Sequence, residues 1–520
     1  MMSASLRKTL LCVVAASSFL MPAHAEWRRA TSRHFIVYSQ GSANELRESA
    51  TALERYDQLL RLMSIAKPDE TSPPLTVFMV ANNGVGDLIN QPGAAGFYTV
   101  GPLGPVAVAA RITDFYVTET EFTAQVVLFH EYAHHYMLQN YTAAYPGWFV
   151  EGYAELLGAT TFDRDGSANV GNVARYRLAD LHGDVTVPVR DLLADDPDAR
   201  KDRAVYAYYS EAWLLTHYLV FNDARSPQLH RYLALVSEGM KPMEAANQAF
   251  GNVSKLVSEY NSYRNSPGLP GVHISQKAAP PIGEIKVETL GPAAQALVWD
   301  RLLYMRNLRG KEAANIAADL AKRAAAAPRD VETLDLLWRF QLAADNIDGA
   351  DKTADALLAL EPKNGQALLG KGLIAMKKLE NAKDNSPPKW AAARRFIVDA
   401  SEVQLDNAEI LFAYYQSFVR AQLPPTKSAK LGLLRAFEIE PQSSLYRLTL
   451  AGSLIGDRRY AEARIVLKPA AFSVHDPQSA ATAKKMLASI EPLKDGDTPP
   501  PPPPPEADKA KDDGQAKKRG

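Results

Sequence analysis

Cysteine is all but missing from this chain: Cys12 is the one thiol in 520 residues. Without a second cysteine there is no disulfide framework, and without thiolates any zinc must be held by histidine and carboxylate. A charge excess is missing too. Lysine plus arginine number 58 against 59 for aspartate plus glutamate, and without a basic surplus nucleic acid is not the expected partner. Long apolar runs are also lacking. The run from Thr9 to Met21 covers 13 residues, which is short for a bilayer span, and no later segment is long and apolar enough. The mature chain is therefore expected to have no integral membrane segment.

What stands at the start reads as an export signal. Arg7 and Lys8 precede the apolar run, and Ala23-His24-Ala25 offers a small-x-small cleavage site. Cleavage after residue 25 would remove Cys12 and deliver a thiol-free protein to the periplasm or the exterior. The remaining length is too great for one core and predicts two or three domains.

Residues 33–111 alternate strand-like and helical segments. His34-Phe35-Ile36-Val37-Tyr38 and Leu75-Thr76-Val77-Phe78-Met79-Val80 are rich in β-branched and aromatic residues. Between them Leu46, Ala50, Leu53, Tyr56, Leu59 and Leu60 recur at helical spacing. Pro105 to Ala110 reads as a further strand, placed either in the interior of a sheet or where an extended substrate could pair with it. From Glu121 to about residue 265 the pattern is helical. A stretch rich in proline and glycine, 267–289, then marks a boundary. Beyond it, residues 290–493 form Ala/Leu-rich helices in which Pro328, Pro362, Pro441 and Pro477 open new runs. Pro328 and Pro362 are 34 apart, the period of tetratricopeptide units, although the aromatic and glycine positions of such units are poorly kept. Leu405-Asp406-Asn407-Ala408 looks like a further unit start without its proline. Residues 494–520 contain the seven prolines Pro499 to Pro505 and a charged tail, a composition that cannot bury a core and is expected to be disordered.

The chemistry is concentrated in His130-Glu131-Tyr132-Ala133-His134. On a helix, positions four apart lie one above the other, so two imidazoles can share a metal while Glu131 stands beside it as a general base. A second helix is expected after the turn signals Asn140, Thr142, Pro146 and Gly147. It carries Trp148-Phe149-Val150-Glu151-Gly152-Tyr153-Ala154-Glu155. Glu151 is a candidate third ligand. Glu155, one turn further on, is placed to hydrogen-bond the ring nitrogen of His130 that faces away from the metal. Two imidazoles and a carboxylate leave one zinc ion an open position for water.

HEYAH followed by WFVEGYAE resembles the gluzincin metallopeptidases, specifically the peptidase MA-like group related to aminopeptidase N. The resemblance covers roughly residues 30–265 and is specific over 126–158. It implies an α+β fold with a thermolysin-like zincin domain (26–266), zinc ligands His130, His134 and Glu151, and Glu131 as base. Tyr206-Ala207-Tyr208-Tyr209-Ser210-Glu211-Ala212-Trp213 resembles a downstream segment of the same domains. That alignment selects Tyr209 to stabilise the oxyanion, with Tyr206 as the fallback. The Gly-Ala-Met-Glu-Asn-type segment of aminopeptidase N relatives is absent, which favours an endopeptidase or a narrow processing role on a peptide or protein substrate. His135, His217 and His230 read as packing or surface histidines. Two other functions fit the chain: an inactive zinc-binding adaptor acting through its repeats, and metal-dependent hydrolysis of a non-peptide amide. A protein partner of the repeats is expected in either case.

Overall fold

A computed structural model describes residues 26–64, 73–89, 94–101, 103–111, 116–117, 122–141, 143–201, 204–275, 281–473 and 476–498. The expected export signal, with Cys12, and the tail from Pro499 lie outside these residues. The chain is mostly helical with a small mixed sheet, an α+β arrangement followed by a long helical region.

The first half is built on β1 (Arg28–Thr31), β2 (Phe35–Ser39), α1 (Ala43–Met63), β3 (Leu75–Val80), α2 (Asn82–Ile89), β4 (Gly96–Gly101) and β5 (Gly104–Ala110). Strands β2, β3 and β5 are parallel, with Val37 opposite Val77 and Val77 opposite Ala107. Strand β4 turns back antiparallel on β5 through Leu103 and Gly104, whose φ of +95° suits only glycine. The alternation of the strands divides their side chains between two cores. Val37, Val77 and Ala107 face α1, whereas Tyr38, Phe78 and Val108 face the opposite side with Val85 and Leu88 of α2.

A short β6 (Tyr116–Val117) and β7 (Phe122–Thr123) hairpin leads into α3 (Ala124–Asn140) and α4 (Gly147–Gly158). Helix α3 thus starts three residues after Glu121, where the helical pattern begins, because Phe122 and Thr123 are held in the hairpin. The stretch to residue 265 is not continuously helical either. Strands β8 (Thr161–Phe162) and β9 (Ala168–Val170) interrupt it before α5 (Arg175–Leu181), α6 (Val189–Leu193), α7 (Ala204–Phe221), α8 (Ser226–Glu238), α9 (Pro242–Phe250) and α10 (Val253–Arg264). These helices close a core around Trp148, Trp213, Tyr208 and Tyr232.

The segment 267–289 contributes two strands to the first half. Strand β10 (Val272–Ile274) pairs with β9, and β11 (Lys286–Thr289) pairs with β1. The sheet order is therefore β11-β1-β2-β3-β5-β4. Strand β5 is interior, and among the described residues β4 is the edge strand, on the side of the HEYAH motif.

The helical region runs through α11 (Pro292–Met305), α12 (Gly310–Ala326), α13 (Val331–Ala343), α14 (Ile347–Leu360), α15 (Gly365–Asn381) and α16 (Pro387–Val403). It continues through α17 (Ala408–Val419), α18 (Lys427–Ile439), α19 (Ser444–Gly456), α20 (Tyr460–Ala471) and α21 (Pro477–Ile490). Each helix packs on the next in the chain through small residues such as Ala350, Ala354, Ala429 and Ala463. Starts are capped as the turn residues suggest: Asn364 and Asn407 accept the N–H groups of Ala367 and Ile410 at 2.9 and 3.1 Å. Helix α11 is shared with the first half, since Val298 and Leu302 pack under the sheet with Phe78 and Val108. Among the described residues no helix is long and apolar enough to cross a membrane.

Candidate metal centre

Helix α3 opens with a side-chain cap, Thr123 Oγ1 accepting the Val126 N–H at 3.2 Å. Its inner face, with Phe129, Tyr132, Ala133 and Tyr136, packs against α1 and the sheet. Four-residue spacing then leaves His130 and His134 on the face turned to α4. Helix α4 starts after Pro146, and the Gly147 N–H donates to the Asp195 carboxylate at 2.8 Å. It runs back along α3 until Gly158 lies against Val126. Gly152, directly after Glu151, is where α4 meets α7. A Cβ there would collide with Thr216 Oγ1 and the Ala212 carbonyl, so the glycine sets how closely α4 packs on α7.

This packing brings His130, His134 and Glu151 together. The two histidine Nε2 atoms are 2.9 Å apart, and Glu151 Oε2 lies 3.5 Å from His130 Nε2 and 3.4 Å from His134 Nε2. Donors about 2.1 Å from a tetrahedral metal stand about 3.4 Å from one another; the two Glu151 separations match that spacing, and the histidine pair is tighter at 2.9 Å. The three are the right atoms for a metal, two imidazole nitrogens and one carboxylate oxygen. His134 and Glu151 are buried, with His130 at the rim.

The electrostatics also favour a cation. Three carboxylates, Glu131, Glu151 and Glu155, surround His130. Burial works against its imidazolium, yet Glu151 and its neighbours outweigh burial and push it up to about 9. Burial lifts Glu131 to about 7, with the charges of Glu151 and Glu155 adding to the rise. His130 and the Tyr98 backbone N–H on β4 work in the opposite direction. Strand β4 comes this close because residue 96 is glycine: a Cβ there would collide with Val127 and lie 3.4 Å from Glu131 Cγ. Glu131 is thus wedged between α3 and the edge strand β4.

Glu155 sits behind His130, its Oε1 3.4 Å from His130 Nδ1. Burial alone would raise its carboxyl, but the Arg177 guanidinium overcomes burial and holds it below the usual range. Tyr209, on α7, faces the site: its ring lies 6.3 Å from that of His130. The negative charge of Glu151, then burial, pushes its hydroxyl well above the usual value, so it stays a neutral donor. Tyr206, one turn earlier on α7, is 63% exposed.

His135 and His217 are accounted for by packing, and His230 is exposed. His135 is buried with its Nδ1 3.2 Å from Tyr98 Oη, and burial lowers it to about 3. His217 lies 2.8 Å from Tyr263 Oη and 3.0 Å from the Gly171 carbonyl oxygen.

Sequence reasoning missed Arg177 altogether. It lies on α5, just after the unforeseen β8–β9 hairpin, and its guanidinium meets Glu155 through Nε at 3.1 Å and Nη2 at 2.5 Å. No local pattern signals it, because its partner is 22 residues away in sequence. A second group of possible ligands, His34, Glu54 and Asp57, was missed as well. No protein-family model matches the chain, and no curated protein matches it in sequence.

Proposed function

We propose that the protein is an exported zinc-dependent peptidase of gluzincin type, with a thermolysin-like zincin domain and a tetratricopeptide-like helical region that docks a protein substrate or partner. The observation that carries this reading is the convergence of His130 Nε2, His134 Nε2 and Glu151 Oε2 at metal-binding separations. Glu131 and Tyr209 stand beside them. A structural zinc site takes four protein ligands, whereas three leave a position open for chemistry.

A zinc ion held by these three atoms supplies Lewis acidity toward water and toward a carbonyl oxygen. The residues do the rest. Glu131, beside the three ligand atoms, takes the proton of the attacking water and returns it to the leaving amine. The Tyr209 hydroxyl donates a hydrogen bond to the carbonyl oxygen as negative charge develops there. Glu155 fixes the ring of His130 through Nδ1. The open edge of β4 runs beside Glu131 and offers main-chain groups to an extended peptide, a role suited to endopeptidase action.

The test is zinc content together with cleavage of a peptide mixture, for the wild type and Glu131→Gln. The expected result is one zinc per chain in both, with cleavage reduced about 10²- to 10⁴-fold in the variant. Equal cleavage by the two would remove Glu131 from catalysis. Stoichiometric zinc with no cleavage of any peptide by the wild type would favour the adaptor reading.

A further inference from the structure

The geometry points to Arg177 as a positioning residue that ties the carboxylate behind His130 to the Tyr209 ring. It deepens the peptidase reading above and rests on it. Arg177 touches the site on two sides. Its fork meets both oxygens of Glu155, Nη2 to Oε1 at 2.5 Å and Nε to Oε2 at 3.1 Å. A two-point contact of this kind fixes the plane of a carboxylate as well as its place. With the plane fixed, Oε1 faces His130 Nδ1 at 3.4 Å, the orientation that holds the opposite nitrogen toward Glu151 and His134.

The guanidinium also lies against aromatic rings. Its Cζ is 5.1 Å from the centroid of Tyr209 and 5.3 Å from that of Tyr176, within the range of a cation–π contact. Tyr209 in turn stands 6.3 Å from the His130 ring. His130, Glu155, Arg177 and Tyr209 therefore form a closed ring of contacts, with Arg177 on the side away from the metal ligands. It is largely buried, at 15% side-chain exposure, and Glu155 is at 2%, so water does not replace these contacts. Lysine would keep the charge but not the fork or the flat face.

The experiment measures zinc affinity by chelator competition, and kcat and KM on a peptide the wild type cleaves. It uses the full chain and the variants Arg177→Met, Arg177→Lys, Tyr209→Phe and the Arg177→Met/Tyr209→Phe double. Arg177→Met is expected to weaken zinc binding about 10- to 100-fold and to lower kcat while KM stays near the wild-type value. Arg177→Lys should recover only part of each loss. In the Tyr209→Phe background, Arg177→Met should cost kcat less than it does alone, because one of its two targets is already gone. Should Arg177→Met fail to fold, Arg177→Lys carries the same comparison. The inference is overturned if the variants lose thermal stability but keep zinc affinity and kcat, or if the kcat effects of residues 177 and 209 simply add. A wild type that binds no zinc overturns the peptidase reading and this inference together. Zinc-loaded, active wild type beside unimpaired Arg177 variants overturns the inference alone.

Discussion

Among the described residues, two groups of side chains have the composition of a metal site: His130, His134 and Glu151 on α3 and α4, and His34, Glu54 and Asp57 just before β2 and on α1. In the second group the donors are already served. Asp57 accepts from Arg61 Nε and from the Tyr132 hydroxyl, both at 2.6 Å, and Glu54 accepts the His34 N–H at 2.9 Å while its other oxygen lies 2.8 Å from His34 Nδ1. A cation is thus built into that cluster as Arg61. In the first group the donor atoms point at one another, and Arg177, the nearby cation, is bound to Glu155 behind His130. The two clusters therefore differ in where their arginine stands, within the second as Arg61 and behind the first as Arg177, more than in which residue types are gathered.

The comparison breaks most sharply on metal content. Glu151→Ala should abolish stoichiometric zinc binding in elemental analysis, whereas Glu54→Gln should leave it at the wild-type level. Loss of zinc from both variants would mean that the second cluster also holds metal or supports the first. A smaller effect is expected from Tyr132→Phe, which deletes the hydroxyl donated to buried Asp57 from within the HEYAH motif. It should lower stability by about 1.5–3 kcal/mol in denaturant unfolding and leave zinc content unchanged. The smallest effect concerns pH. Burial would raise the Glu54 carboxyl, but its hydrogen bonds with His34 outweigh burial and hold it below its ordinary 4.5. Its folded value is therefore depressed. Its contribution to stability is present above 4.5 and lost as pH falls through the lower folded value. Glu54→Gln should accordingly flatten the acid limb of the stability–pH curve, and an unchanged limb would show that Glu54 does not set it.

The second cluster also explains what could be read in the sequence. His130, Glu131, His134 and Glu151 were legible because helical spacing and two adjacent motifs place them, and both helices formed. The preference for Tyr209 over Tyr206 came from the family resemblance of that segment, not from helical spacing; the Tyr209 ring lies near that of His130, whereas Tyr206 is exposed. Arg177 and the pairing of His34 with α1 were not legible, since each rests on contacts between residues about 20 apart that no period encodes. The hairpin β8–β9 escaped for a related reason: strands of two and three residues are too short to show alternation. Lys286–Thr289 has mostly exposed side chains and follows prolines, so it read as linker, yet its backbone completes the sheet. Pro105–Ala110 was recognisable as a strand. Its interior position depended on the β4–β5 turn, which sequence alone left open.

That last strand pair, β11 on β1, bears on how the molecule can be divided. A fragment ending at residue 266 would look like a self-contained half. It would in fact expose a second bare sheet edge along β1, since Ala30 and Arg29 would lose their partners Val287 and Glu288. It would also uncover Phe78, Val108 and Trp27 by removing α11 and Leu290. Bare edges and uncovered apolar faces invite strand-to-strand association between molecules. The smallest piece that keeps β1 paired and its sheet roofed extends to Met305, so the first helix of the helical region belongs, in folding terms, to the half that carries the HEYAH helix.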